Sequence, residues 1–208
     1  INTMLLAVAA GIITTIIGII FNFNIRIYSS KNAQIFNNFI STGYGIPGLI
    51  LAIGITQFLT YFDLILIDTG IVITGSLFGL IFAYVIKSYA LSSNVLESNY
   101  KQLSKSFDDS ARTLGSSKYI LLKDIHLPLL RTGIFTSVLL VISEVVKELP
   151  ATLILRPFNF DTLAVTVYTF ASEERIYEAA FPSLFIIGIG LIPIFFIYKM
   201  IKSMRGLN

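Results

Sequence analysis

Long apolar runs, rather than short alternating patterns, organise this chain. Five of them reach the roughly 20 residues that a helix needs to cross a hydrocarbon layer about 30 Å thick. They cover about residues 3–23, 44–62, 69–91, 132–155 and 181–200, and they predict five transmembrane helices with no strand signal between them. Glycines recur in the second and third runs, at Gly45, Gly48 and Gly54 and at Gly70, Gly75 and Gly79, where close approach of helix backbones is expected.

The polar segments divide by side. Five crossings put residues 24–42, 92–131 and the C-terminal tail on one face of the membrane. Only Lys147, Arg156 and Arg175 of the fifteen basic residues fall at or beyond the other face. The other twelve, Lys87, Lys202 and Arg205 among them, mark their side as cytoplasmic, because short cytoplasmic loops retain Lys and Arg. The N-terminus is then external and the C-terminus cytoplasmic. Composition agrees with a membrane protein: 55% of residues are hydrophobic, 13% are charged and the mean hydropathy is +0.81. The small net charge of +3 acts as an orientation signal and gives no nucleic-acid footprint. Cysteine is absent and one His is present, which excludes disulfides and Cys/His metal clusters. The chain opens on Ile1 within an apolar run and reads as a fragment of a longer protein.

The long segment 92–131 is too ordered in pattern for a plain connector. In "DDSARTLGSSKYILLKDIHLP", Asp108 or Asp109 can cap a short helix, Gly115 can end it in the left-handed region, and Ser116 or Ser117 can cap the next. Tyr119, Leu122 and Ile125 lie at helical spacing, and Pro128 disfavours helical geometry at Leu127.

This run resembles the signature of the permease subunits of ABC importers: an acidic-Ala-Ala triplet, three residues, Gly, nine residues, then Ile-x-Leu-Pro. Asp109, Ser110, Ala111, Gly115, Ile125, Leu127 and Pro128 occupy those positions without a gap, with Asp for the usual Glu and Ser for the first Ala. The resemblance implies an all-α, MetI-like five-helix core whose cytoplasmic coupling helix fits a cleft on a separate ATPase. The partners it implies are cytoplasmic ABC ATPase subunits, a soluble substrate-binding protein and a second permease half, fused or separate, in a bacterial inner membrane. ATP would be bound by the ATPase, leaving this chain non-catalytic and without a cofactor. The runs "KELPATLILRPFNFDTLAVTVYTFASEERIYEAAFP" and "GYGIPG" are similar to the C-terminal half of fused iron(III) permeases, so iron(III) is the implied substrate. Importers of thiamine, sulfate, polyamines and phosphonates share the core and stand as alternatives.

Charges inside an apolar run need a reason, because each costs about 2.5 to 3.5 kcal/mol at a helix centre. Glu144, Lys147 and Glu148 follow i, i+3 and i+4, so one helical face is expected to carry all three. With Pro150 weakening the helix beyond them, they are the candidate pore or gate residues, or else a structural ion pair. Segment 156–180 is too polar to cross. Asp161 is expected to cap a helix from Thr162 to about Ala171 with Leu163, Val167 and Phe170 on one face. Tyr168, Glu173 and Glu174 are oxygen donors in a solvated rim rather than a metal site.

Two other classes make different demands. A secondary transporter would have no use for the coupling segment. An intramembrane enzyme would need a nucleophile and base within the spans, whereas His126 lies outside them. No Walker-type phosphate loop is present in the sequence.

Overall fold

In a computed structural model, the backbone is described for residues 1–204 and side chains for residues 1–199. Lys202 and Arg205, both assigned to the cytoplasmic side by sequence, therefore lie outside the described side chains. The described residues form helices and turns: α1 (Asn2–Tyr28), α2 (Lys31–Ser41), α3 (Gly48–Ile65), α4 (Leu77–Gln102) and α5 (Lys105–Thr113) come first. They lead into α6 (Lys118–Leu129), α7 (Arg131–Val146), α8 (Pro150–Leu155), α9 (Leu163–Ser172) and α10 (Ile176–Met204). By length and composition α1, α3, α4 and α10 can each cross a bilayer, and α7 makes a fifth crossing element when taken with α6, from which it bends by 73°.

The α1 helix lies between α4 and α7, and side chains from these helices and from α3 and α8 share one core. Leu6, Ala7 and Ala10 of α1 meet Leu51 and Ile55 of α3, Leu80 and Tyr84 of α4, Val141 and Val145 of α7 and Leu155 of α8. Small residues set the spacing. A Cβ on Gly11 would stand 3.2 Å from the Val138 carbonyl oxygen, and one on Gly18 would stand 2.8 Å from Leu96 Cδ1. Buried hydroxyls fill the seam: Thr15 Oγ1 lies 3.0 Å from Ser137 Oγ, which donates to Ser92 Oγ at 2.6 Å. In an apolar surround such hydrogen bonds favour one helix register over its neighbours.

Several expected boundaries move. The run 69–91 is not one helix: residues 70–75 turn back before α4 starts at Leu77. Asp63 holds that turn by accepting from Ile73 N at 2.6 Å and Thr74 N at 3.0 Å, and Gly70 and Gly75 take positive φ there. Of the six glycines expected at helix contacts, Gly48 and Gly79 are closely approached by other elements, while Gly45 and Gly54 face open space. At its other end α4 runs on to Gln102, so the first part of segment 92–131 is helix, held by Ser92, Ser93, Leu96 and Tyr100 packing inward.

The second predicted span is the latter part of a broken element. Ser30 caps α2 by accepting from Ala33 N at 3.2 Å, and buried Asn37 receives Tyr89 Oη at 2.5 Å and Ser93 Oγ at 2.8 Å. Residues 24–42, expected as a loop, therefore lie largely in α1 and α2, the latter lying along α4. A tight turn at Thr42–Gly45 and Pro47 separates α2 from α3. The last helix begins at Ile176, five residues before the predicted boundary at Phe181.

Candidate functional site

The segment after α4 begins with Ser104, whose hydroxyl caps α5 by accepting from Ser106 N at 3.2 Å. Neither aspartate is the cap. Asp108 turns inward, only 6% exposed, and takes hydrogen bonds from Arg26 Nε at 2.7 Å and His126 Nε2 at 2.8 Å. Arg26 is saturated: its two terminal nitrogens donate to the carbonyl oxygens of Tyr100 at 2.6 Å, Leu103 at 3.2 Å and Ser104 at 3.0 Å. All five guanidinium N–H groups thus have acceptors.

His126 is 1% exposed, with Phe23 and Tyr100 meeting it edge-on at ring-centroid distances of 5.3 and 5.5 Å. Its Nε2 faces the Asp108 carboxylate, and its Nδ1 has no partner among the described residues. Burial alone would raise the Asp108 carboxyl, but the hydrogen bonds from Arg26 and His126 outweigh it and hold it below its ordinary value. Phe23, Tyr100, Ala111, Leu121 and Leu130 close over this cluster, with Ile125 packed against them. Residues from α1, α4, α5 and α6 therefore form one small core at the loop end of the bundle.

The signature residues divide around that core. Ala111 is buried, and Ile125 and Leu127 are half-buried; Asp109, Ser110, Gly115 and Pro128 are exposed. Gly115 has φ +80°, the left-handed turn expected of it, with nothing within 4 Å of where a Cβ would stand. Ser117 caps α6, accepting from Ile120 N at 3.3 Å. Beside Asp109 the loop exposes Phe107, Leu114 at 84%, Tyr119 and Ile120.

Leu127 is helical, with φ −58° and ψ −45°, although Pro128 disfavours that geometry in the residue before it. Residues Leu121–His126 form a π-helical stretch, whose wider turn accommodates a residue that lacks an N–H and crowds the preceding turn. The same stretch turns His126 toward Asp108.

Midway along the bundle lies the second charged cluster. Glu144 and Lys147 pair at 2.9 Å as expected, but Lys147 is 60% exposed and the pair is peripheral. Glu148 does not share their face, because α7 ends at Val146 and the chain unwinds through Lys147–Leu149. The predicted span 132–155 is thus broken, with Pro150 opening α8 at a position where its missing N–H leaves no bond unmade. Glu148 pairs instead with Lys87 of α4, a residue assigned from sequence to the cytoplasmic side. Its Oε1 also accepts from Ala151 N at 3.2 Å, and its carbonyl accepts from Thr152 Oγ1 at 2.7 Å. Gly48, at the start of α3, lies against both charges: a Cβ there would come within 2.8 Å of Glu148 Oε1 and of Lys87 Nζ. Both broken elements, α2–α3 and α7–α8, meet at this ion pair.

At the far end Thr162, not Asp161, caps α9, accepting from Val165 N at 3.4 Å, and Asp161 pairs with Arg156. Ala164 and Val165 are the buried positions of α9, and Leu163, Val167 and Phe170, expected on one face, are half-buried. Arg175 binds Glu173 at 3.0 Å and Glu178 at 2.9 Å. Among the described residues no group of three His, Cys, Asp or Glu side chains is arranged to hold a metal ion.

The sequence pattern identified Asp109 and Gly115 but missed Arg26, Asp108 as a buried anion, His126 and Lys87. The available signals were a lone Arg just past an apolar run, the only His of the sequence, in "DIHLP", and a lysine four residues before the end of the predicted span 69–91.

Residues 14–205 match the family model described as "Binding-protein-dependent transport system inner membrane component". The Fe(3+)-transport system permease protein FbpB 2 of Haemophilus influenzae is 27% identical over 157 residues, covering 75% of this chain and 29% of that protein. The chain thus spans under a third of that relative's length. Two solved structures share its fold: a bacterial alginate ABC transporter in complex with an alginate pentasaccharide-bound periplasmic protein, and a bacterial ABC transporter involved in alginate import. The first has a TM-score of 0.73 at 15% identity over 98% of this chain and 77% of that one; the second, 0.75 at 16% over 100% and 78%. A family match that takes in the saturated Arg26 cluster, the exposed signature loop and the broken midsection leads to one assignment: the chain belongs to the inner membrane components of binding-protein-dependent transport systems.

Proposed function

We propose that this chain is the membrane-spanning part of an ATP-driven ABC importer, that its substrate is iron(III), and that Asp109 to Pro128 docks a separate ATPase. The observation that carries the reading is the loop's two-sided construction. Its inner side is locked by Arg26, Asp108 and His126, while its outer side presents the carboxylate of Asp109 amid Phe107, Leu114, Tyr119 and Ile120. An uncovered apolar surface on a rigid, charged loop is what a docking partner requires.

The loop faces the cytoplasm in this reading, and 156–175 lies outside, where the substrate-binding protein delivers its cargo. Iron(III) rests on the likeness to the Haemophilus influenzae permease. The path is completed by a second permease half, and the Lys87–Glu148 pair with Pro150, more than Glu144 and Lys147, belongs to its charged midsection. ATP hydrolysis belongs to the ATPase.

The test is Asp109→Lys in the whole permease, with co-purification of the ATPase, ATP hydrolysis stimulated by the binding protein, and radiolabelled iron uptake into liposomes as readouts. The variant is expected to reach the membrane in normal amount and to lose all three. Full retention of stimulated hydrolysis and uptake would overturn the docking assignment; uptake that ignores iron(III) but tracks another substrate would overturn the cargo.

A further inference from the structure

Helix α1 is the one element of this chain held by side-chain hydrogen bonds at both ends of the bundle among the described residues. At the loop end Arg26 joins it to α4 and α5. At the opposite end Thr3, buried, accepts the N–H of Leu163 at 2.9 Å, so that the first residue of α9 hangs on α1, and Asn2 Nδ2 donates to the Asp161 carbonyl at 3.2 Å. Between these ends stand 27 residues of helix without proline, about 40 Å at 1.5 Å per residue.

The other connections from the loop to α9 are interrupted or end elsewhere. From α6 to α7 the axis bends by 73°, and the chain unwinds again before α8. The α2–α3 element breaks at Thr42–Pro47, and α10 has Pro182 and Pro193 inside it. Helix α4 is unbroken, but it ends at the turn that Asp63 ties to α3.

We infer that α1 is the rod that carries a displacement of α5 and α6 to α9 at the opposite face, with Arg26, Asp108 and His126 as the positioning residues of one joint and Thr3 as that of the other. The inference rests on the docking of an ATPase at the loop proposed above. A docked ATPase that shifts α5 must shift Arg26 with it, because the guanidinium has no free N–H with which to slip to another partner. Axial stiffness of α1, packed on α4 and α7 along its length, delivers that shift to the backbone of α9 through Thr3.

These 208 residues hold no cysteine, and with any cysteine elsewhere in the permease replaced, a single Tyr168→Cys at an exposed position of α9 reports accessibility. In the whole permease with its ATPase in liposomes, the labelling rate of this site by an impermeant thiol reagent is compared without nucleotide and with ATP plus vanadate. A nucleotide-dependent change is expected. In Thr3→Val it should shrink by roughly threefold or more, as one lost neutral hydrogen bond allows, while ATPase co-purification and basal hydrolysis stay intact; Thr3→Ser should restore it. Arg26→Gln should abolish it.

An undiminished response in Thr3→Val overturns the rod even if Arg26→Gln fails to accumulate. So does a Thr3→Ser variant that behaves like Thr3→Val. If Asp109→Lys keeps the ATPase bound and stimulated, the docking itself falls and the rod with it. If Asp109→Lys loses the ATPase while Thr3→Val responds as the parent does, the rod alone falls.

Discussion

Two buried ion pairs divide the labour of this bundle, and they are built on opposite plans. Arg26–Asp108 lies where four helices converge, every donor of the guanidinium is used, and both carboxylate oxygens are engaged. Lys87–Glu148 lies where two elements break, and the described residues give the ammonium one carboxylate partner. A saturated guanidinium in a fixed fork resists separation, whereas an ammonium on a flexible stem can exchange one partner for another. The first pair is a weld, and the second is a contact that can open.

Removing one partner tests that distinction most severely at the weld. Asp108→Ala strands Arg26 in a closed apolar cluster, a change expected to cost about 3 to 5 kcal/mol, seen as loss of folded protein and a lowered melting temperature in detergent. The same carboxylate makes a pH prediction. Its folded pKa is depressed, so its contribution is present in full above the ordinary value of 3.8 and is lost as pH falls through that value toward the lower folded one. Melting temperatures of the parent should therefore fall through that acid window, and those of Asp108→Asn should fall less steeply. Equal slopes would remove the special status of the pair.

At the midsection a smaller, conditional effect is expected. Lys87→Met leaves Glu148 uncompensated, and adding Glu148→Gln removes the stranded charge. The double variant should recover most of the stability lost by the single one, by about 2 kcal/mol in denaturant titration. Additive losses would mean that the pair contributes nothing as a pair. Gly48→Ala sharpens the same point, since its methyl group lies within 2.8 Å of both charged atoms and should impair transport before stability.

The smallest effect belongs to the pair most visible in the sequence. Lys147→Ala at the exposed Glu144 contact should change stability by no more than about 1 kcal/mol. A larger loss would move the charged midsection back to the face where i, i+3 spacing first placed it.

That ordering explains what could be read from the sequence. Gly115 and Ser117 were legible because a left-handed turn and a cap are settled by residues within one helical turn of one another. The apolar runs were legible as crossing elements because bilayer thickness sets their length, though not their ends: Ser76, Asp63 and Pro47 moved those by local hydrogen bonding and sterics. Arg26 and Asp108 are 82 residues apart, and Lys87 and Glu148 are 61 apart. Their pairing depends on how α1 and α4 pack, which no local spacing encodes. Glu148 was misplaced for a related reason: i, i+4 spacing is a statement about an intact helix, and the helix had ended two residues earlier.

The π-helical stretch at Leu121–His126 turns the length of this loop into a constraint of its own. A π turn holds one residue more than the α turn it replaces. Deleting a single residue there would leave an ordinary α turn with the flanking chain in nearly its present rotation, whereas a deletion in the α-helical residues beside it would rotate one side against the other by about 100°. The first change would cost Pro128 the relief of its wide preceding turn, and the second would swing His126 away from Asp108. The spacing between Gly115 and Ile125 is thus held most strictly outside the wide turn, even where individual side chains face solvent and could be exchanged.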